Sequence, residues 1–215
     1  MTLSARPIIS VHLPKSGGTS IRRCLEAQFG ERGLFDYGRG PLGPQAHVVE
    51  TGLPEGVEMV HGHFRPARYD AVGEAFRMTF LREPTDLLLS FYFFWRKMPF
   101  EGQALHRRFL DEQPDIESFA SWAPIRRLSS DTFFGGYDMA RFDFIGFHET
   151  RHEDMARVNA LAGLQLDSER HDNRTENDRT ERRTMREDQA LMGRLRDILA
   201  DDVRFYEDLR ARRGA

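Results

Sequence analysis

Apolar residues along this 215-residue chain follow two rhythms. Short continuous runs, rich in β-branched and aromatic side chains, occur at Ile8 to Leu13, Val57 to Val60, Phe76 to Leu81 and Phe142 to Phe147. Such runs, bounded by turn residues, predict buried strands. Elsewhere the period is helical. Ile21, Leu25 and Phe29 recur at every fourth position and Gly30 follows, which predicts a helix ended by a glycine cap. Thr85 and Asp86 are placed to cap a helix running through Trp95, and the aromatic run Phe91 to Trp95 in it suits a core better than a stacking platform. Glu149 to Leu164 and Met185 to Arg213 complete the helical set, the last carrying Leu191, Leu195, Ile198, Leu199, Phe205, Tyr206 and Leu209. Between Glu31 and Glu55 glycine and proline break the pattern, so a loop with at most short elements is expected. Strands alternating with helices predict an α/β fold, a parallel β-sheet flanked by helices. With no repeat and no linker in sight, residues 1–215 are expected to form a single domain.

Composition narrows the class. A hydrophobic content of 40% is enough for a core, and a net charge of -3 gives nucleic acid no polycation to condense on. Cys24 is the lone cysteine, which excludes an intrachain disulfide and a cysteine-rich metal cluster and points to a reducing compartment. No apolar run approaches the roughly 18 residues of a membrane span, and the first residues lack a signal-peptide pattern. A cytoplasmic protein without a membrane span is expected.

Ligands of open parallel sheets bind beyond the carboxyl ends of the strands. Three predicted strands end there in reactive residues: Lys15 to Ser20, His61 with His63, and Arg82. In the first, Gly17 and Gly18 allow close backbone approach, and the helix that follows turns its free N–H groups and positive dipole end into the loop. Lys15 adds a charge, and Ser16, Thr19 and Ser20 add hydroxyls, a set suited to phosphate or sulfate. The nucleotide-triphosphatase pattern G-x-x-x-x-G-K-[ST] is absent, as is G-x-G-x-x-G, so ordinary Mg²⁺-ATP chemistry is disfavoured. Arg82 offers a bidentate fork for a phosphate, and Ser90, eight residues on, sits about 1.5 turns into the next helix. An ion pair of Arg82 with Glu83 is the alternative. A histidine near neutral pKa is a fit proton acceptor, although His-x-His also suits a metal pair or one core and one surface ring.

The stretch "HLPKSGGTSI" resembles the 5′-phosphosulfate loop of carbohydrate sulfotransferases that use 3′-phosphoadenosine 5′-phosphosulfate (PAPS), above all the heparan sulfate 2-O-sulfotransferase group. The resemblance implies a P-loop-like sulfotransferase fold in which Lys15 contacts the phosphosulfate and Ser16, Gly17, Gly18, Thr19 and Ser20 complete the cradle. "RMTFLREPTDLLLSFYFFWR" is similar to the family's second signature, which assigns Arg82 and Ser90 to the 3′-phosphate. "VHGHF" matches a His-Gly-His whose histidine is the base, giving His63 as base and His61 as support, the order of the two left open. "FDFIGFHET" resembles a strand and turn of these enzymes and carries no evident chemistry of its own.

The implied reaction moves the sulfuryl group of PAPS to a hydroxyl of a carbohydrate-type acceptor by in-line displacement, without a metal. The animal enzymes of this kind sit in the Golgi behind a membrane anchor, and the departure from that pattern here points to a soluble bacterial enzyme with an acceptor other than a heparan-type polymer. The rivals are a P-loop kinase or NTPase and a non-catalytic module that binds a nucleotide or sulfated glycan. Asp167 to Arg183 is almost wholly polar and reads as a solvated loop, or else as a lid with Asn173, Arg174 or Arg179 reaching the donor. Acceptor specificity would lie there, in Glu31 to Glu55 and in Phe100 to Phe134.

Overall fold

The computed structural model describes residues 6–38, 40–41, 52–167 and 179–213. Asn173, Arg174 and most of the polar stretch after Asp167 lie outside the described residues, as do residues 42–51 and the side chain of Arg179. The elements in chain order are β1 (Ile8–His12), α1 (Gly18–Phe29), β2 (Gly33–Asp36), β3 (Met59–Gly62), β4 (Phe76–Leu81), α2 (Pro84–Trp95), α3 (Ala104–Glu112), α4 (Ile116–Ala120), α5 (Ala123–Arg126), β5 (Phe144–Phe147), α6 (Arg151–Ala162), α7 (Arg179–Glu187), α8 (Gln189–Ile198) and α9 (Ala200–Arg213). They group into two compact units: Met1–Leu81 with Gly136–Asp172, and Arg82–Gly135 with Asn173–Ala215.

The first unit holds the sheet. All pairings are parallel and the order is β2-β3-β1-β4-β5, with Ile8 opposite both Met59 and Phe76. The α/β reading is therefore met. A parallel sheet of near-continuous apolar strands needs cover, and α1 and α6 bury Ile21, Leu25, Phe29, Met155 and Val158 with Ile8, Met78, Phe80 and Phe144 of the strands. Three strands differ slightly from expectation: β1 stops at His12, one residue short of Leu13. β3 runs to Gly62 and so brings His61 into the sheet, and β5 starts at Phe144 because Met139–Arg141 form a 3₁₀ turn capped by Asp138. β2 is the short element inside the Gly- and Pro-rich stretch.

The second unit is helical. Its centre is Phe119, wholly buried, with ring centroids of Phe109, Trp122, Trp95 and Tyr92 at 5.0, 5.4, 5.5 and 5.8 Å. Phe91, Tyr92, Phe93 and Trp95 of the aromatic run are thus core, as expected, while Phe94 in the same run is exposed. The cap of α2 is not Thr85 or Asp86 but Glu83, whose carboxylate accepts the Asp86 N–H (2.9 Å) and the Thr85 hydroxyl (2.6 Å) while Pro84 fills the first helical position. The helix expected over Met185 to Arg213 is three segments. Asp188 interrupts it by accepting the Leu191 N–H at 2.9 Å as the cap of α8, and Leu199 ends that helix before α9. Among the described residues no helix is long and apolar enough to cross a membrane.

Candidate active site at the carboxyl edge of the sheet

Because β3, β1 and β4 are parallel neighbours, their carboxyl ends share one edge. The loop after β1, the His-Gly-His of β3 and the residue before Arg82 all come to it.

The loop from Leu13 to Gly17 is tightly built. Lys15 takes a left-handed conformation (φ 65°) and Gly17 another (φ 96°), and only glycine adopts the latter without strain. The Ser16 hydroxyl donates to the Leu13 carbonyl (2.6 Å), and the Ser20 hydroxyl donates to the Gly17 carbonyl (3.1 Å). These two serines brace the loop from within, while Thr19 is exposed. No side chain caps α1, and the first N–H groups of a helix have no partner within it. Gly18 has a steric reason of its own: a Cβ there would lie 1.8 Å from His12 Nε2.

His12, the last residue of β1, was not singled out in the sequence, yet it joins the loop to the histidine pair. Its ring stacks on His61 (centroids 5.2 Å, planes 12° apart) and lies 4.5 Å from that of His63. His12 Nδ1 shares a 3.1 Å hydrogen bond with the Tyr37 hydroxyl, and the Tyr37 ring meets His63 edge-on at 4.7 Å. His61 Nδ1 shares a 2.8 Å hydrogen bond with the Ser10 hydroxyl. Gly62, between the two histidines, has the backbone of β2 against it, since a Cβ there would stand 1.9 Å from the Asp36 carbonyl oxygen. Asp36 is held in turn by Arg68 Nε (2.7 Å) and the Tyr69 hydroxyl (3.0 Å).

Burial sets the charge of this cluster. It lowers His61 to about 3, with His63 and Arg22 adding to the effect, and it lowers His63 to about 4. His12 is also pushed well down, first by burial and then by His63 and His61. The three imidazoles are neutral at pH 7, and burial keeps Tyr37 protonated. Each ring leaves a buried Nε2 without a hydrogen-bond partner among the described residues. Among those residues no three His, Cys, Asp or Glu side chains converge on a common metal position. Buried polar atoms of this kind are seldom left unmatched in a working protein, so the cluster is suited to a polar ligand.

One further region was missed in the sequence. The turn after β5 places His148 and Arg151 over the β1–α1 loop, and an Arg151 Nη2 donates to the Ser20 hydroxyl. Of the remaining expected residues, Arg82 is half-buried directly after β4, and Ser90 is buried in α2. Glu83, the alternative partner of Arg82, caps α2 with Oε2, and its Oε1 lies 3.6 Å from Arg196 Nη1.

A glycine-bent loop carrying a lysine is thus set beside a cluster of neutral imidazoles. The model described as the sulfotransferase family matches residues 2–207, and the chain belongs to that family. No curated protein matches it. Among solved structures it is similar to a sulfotransferase from Alicyclobacillus acidocaldarius (15% identity over 92% of this chain and 97% of that one, TM-score 0.39). It is also similar to mouse sulfotransferase SULT7A1 complexed with PAP (14% identity over 76% of this chain and 60% of that one, TM-score 0.37).

Proposed function

We propose that this sulfotransferase takes the sulfuryl group from PAPS and passes it to a hydroxyl of a carbohydrate-type acceptor, with His63 as the base. The observation that carries this reading is the meeting of loop and histidines at Gly18: the ring of His12 occupies the space of the missing Cβ and also contacts the ring of His63. An anion seated on the α1 N-terminus is thereby brought beside neutral imidazoles.

In this mechanism Lys15 and the N–H groups from Gly17 onward hold the 5′-phosphosulfate, Ser16 and Ser20 keep the loop bent, and Thr19 supplies its hydroxyl. Arg82 and Ser90 are assigned to the 3′-phosphate, the arginine by its fork geometry. The acceptor oxygen attacks sulfur in line as the bond from sulfur to the bridging phosphate oxygen breaks, and the leaving phosphate gains charge that Lys15 and the loop N–H groups stabilise. His63 Nε2, buried and without a partner, accepts the acceptor's proton, and His61, tied to Ser10, supports it. A base at about 4 is weak for this task. An anionic donor placed beside the ring raises it toward neutrality, so the base strengthens when the site is filled.

The test is transfer of labelled sulfuryl groups from PAPS to sugar hydroxyls and, for contrast, to phenols, in wild type, His63→Ala and His61→Ala. Loss of about 10²–10⁴-fold in turnover for His63→Ala with unchanged donor affinity supports the assignment. Unchanged turnover removes His63 as base. Transfer to phenols alone overturns the acceptor class.

A further inference from the structure

We propose that Arg151, the first residue of α6, is a second cationic contact for the 5′-phosphosulfate, opposite in origin to Lys15; this rests on the reading of the β1–α1 loop as the donor cradle.

The argument begins at β5. This strand pairs with β4 and not with β1, so nothing in the sheet register obliges its exit turn to reach the loop after β1. The turn nevertheless does so, and it is built to. Asp154, wholly buried, accepts the Phe147 N–H (2.9 Å) and the Thr150 hydroxyl (2.8 Å), which ties the end of β5 to the first turn of α6. The short 3₁₀ turn His148–Thr150 and Arg151 are thereby held in one orientation. From it, Arg151 donates to the Ser20 hydroxyl, and its Nη1 lies 3.8 Å from where a Cβ on Gly17 would stand. The His148 ring closes on the same point, with Cδ2 at 3.3 Å and Nε2 at 3.9 Å.

The guanidinium therefore borders the bent glycine and the hydroxyl of the anion loop. Ser20 uses its own hydrogen on the Gly17 carbonyl, which leaves its oxygen to accept from Arg151. A guanidinium is a planar fork of five N–H donors, and it keeps its full positive charge whichever of them Ser20 receives. A phosphosulfate bears charge on both the phosphate and the sulfate, more than one lysine balances, and the first turn of α1 contains no acidic residue to compete. On this account Lys15 approaches the donor from within the loop and Arg151 from beside it.

The experiment is calorimetric titration of wild type, Arg151→Ala and Arg151→Lys with 3′-phosphoadenosine 5′-phosphate and with adenosine 3′-monophosphate, which lacks the 5′-phosphate. Arg151→Ala is expected to weaken the bisphosphate about 10- to 100-fold, the range of a charge-assisted hydrogen bond, and to leave the monophosphate within about twofold. Arg151→Lys recovers part of the loss. Equal weakening of both ligands, or of neither, overturns the proposal and leaves the cradle standing. A wild type that binds the two ligands alike, and whose Lys15→Ala variant does too, overturns the cradle and the proposal with it. Should Arg151→Ala fail to fold, Arg151→Gln keeps a donor for Ser20 without the charge, and the same loss of preference is expected from it.

Discussion

The two compact units solve different problems with different chemistry. In the sheet unit, the glycines near the carboxyl edge are constrained twice, by the backbone conformation of the turns and by the atoms packed against them. Gly18 must leave room for His12, Gly62 must leave room for the carbonyl of Asp36, and Gly17 must take a positive φ. In the helical unit, Phe119 is constrained by volume, Tyr92 beside it by volume and by one hydroxyl that donates to the Pro114 carbonyl (3.0 Å), and Asp202 by the N–H groups of Ser129 and Ser130 that it accepts at 2.9 and 2.7 Å. Double constraint leaves a short, nearly unique spelling in the sequence, whereas packing by volume leaves many equivalent ones.

Substitutions sharpen this contrast, beginning with stability. Phe119→Ala should cost about 3–5 kcal/mol in urea unfolding, the cost of emptying a large aromatic site, and where the protein remains folded it should leave donor affinity intact. Gly62→Ala should cost ~3 kcal/mol or more, because the neighbour 1.9 Å from the new Cβ is backbone and cannot swing away. If Gly62→Ala is tolerated and Phe119→Ala abolishes donor binding, the contrast collapses.

Gly18→Ala should behave differently from Gly62→Ala, since its clash is with a side chain. Donor affinity should fall roughly tenfold or more as the loop is displaced. His12→Ala in the same chain should restore part of it, a non-additive pair measurable as a double-mutant cycle. Strict additivity would mean that His12 does not hold the loop from below.

The smallest effect concerns acid. His63 stands at about 4 in the folded protein against 6.5 when unfolded, because burial disfavours its charged form. Between those values the unfolded chain binds the extra proton, so the contribution is fully present above about pH 6.5 and lost as pH falls toward about 4. His61, at about 3, acts in the same sense to still lower pH. Urea unfolding of His63→Phe should therefore show a flatter decline in stability from pH 6.5 downward than wild type. An identical slope would mean that His63 is not buried as a neutral ring.

Sequence reasoning reached the sheet class, the strands that supply the edge and the glycine-rich loop because those features have short periods or special backbone demands. It missed His12, whose position at the end of an apolar strand resembles an ordinary edge residue; only the ring contacts across β1 and β3 show its role. Tyr37 was hidden because β2 is four residues long and lies in a stretch without periodicity. Arg151 was hidden because its partner, Ser20, is 131 positions away. Ser16 and Ser20 were recognised as loop hydroxyls, but that their hydrogens are spent on Leu13 and Gly17 is a matter of turn geometry. In the helical unit the breaks at Asp188 and Leu199 fall inside a continuous apolar rhythm, and a competing side-chain cap decides the first of them.

The central claim is that the loop after β1 is a metal-free cradle for a sulfotransferase donor. Calorimetric titration with 3′-phosphoadenosine 5′-phosphate in the absence of Mg²⁺, against ATP with Mg²⁺, on wild type and Lys15→Ala, tests it most directly. The account predicts tight metal-free binding of the bisphosphate, weakened by the substitution, and little affinity for Mg²⁺-ATP. Binding of Mg²⁺-ATP alone, or bisphosphate binding indifferent to Lys15, would contradict it.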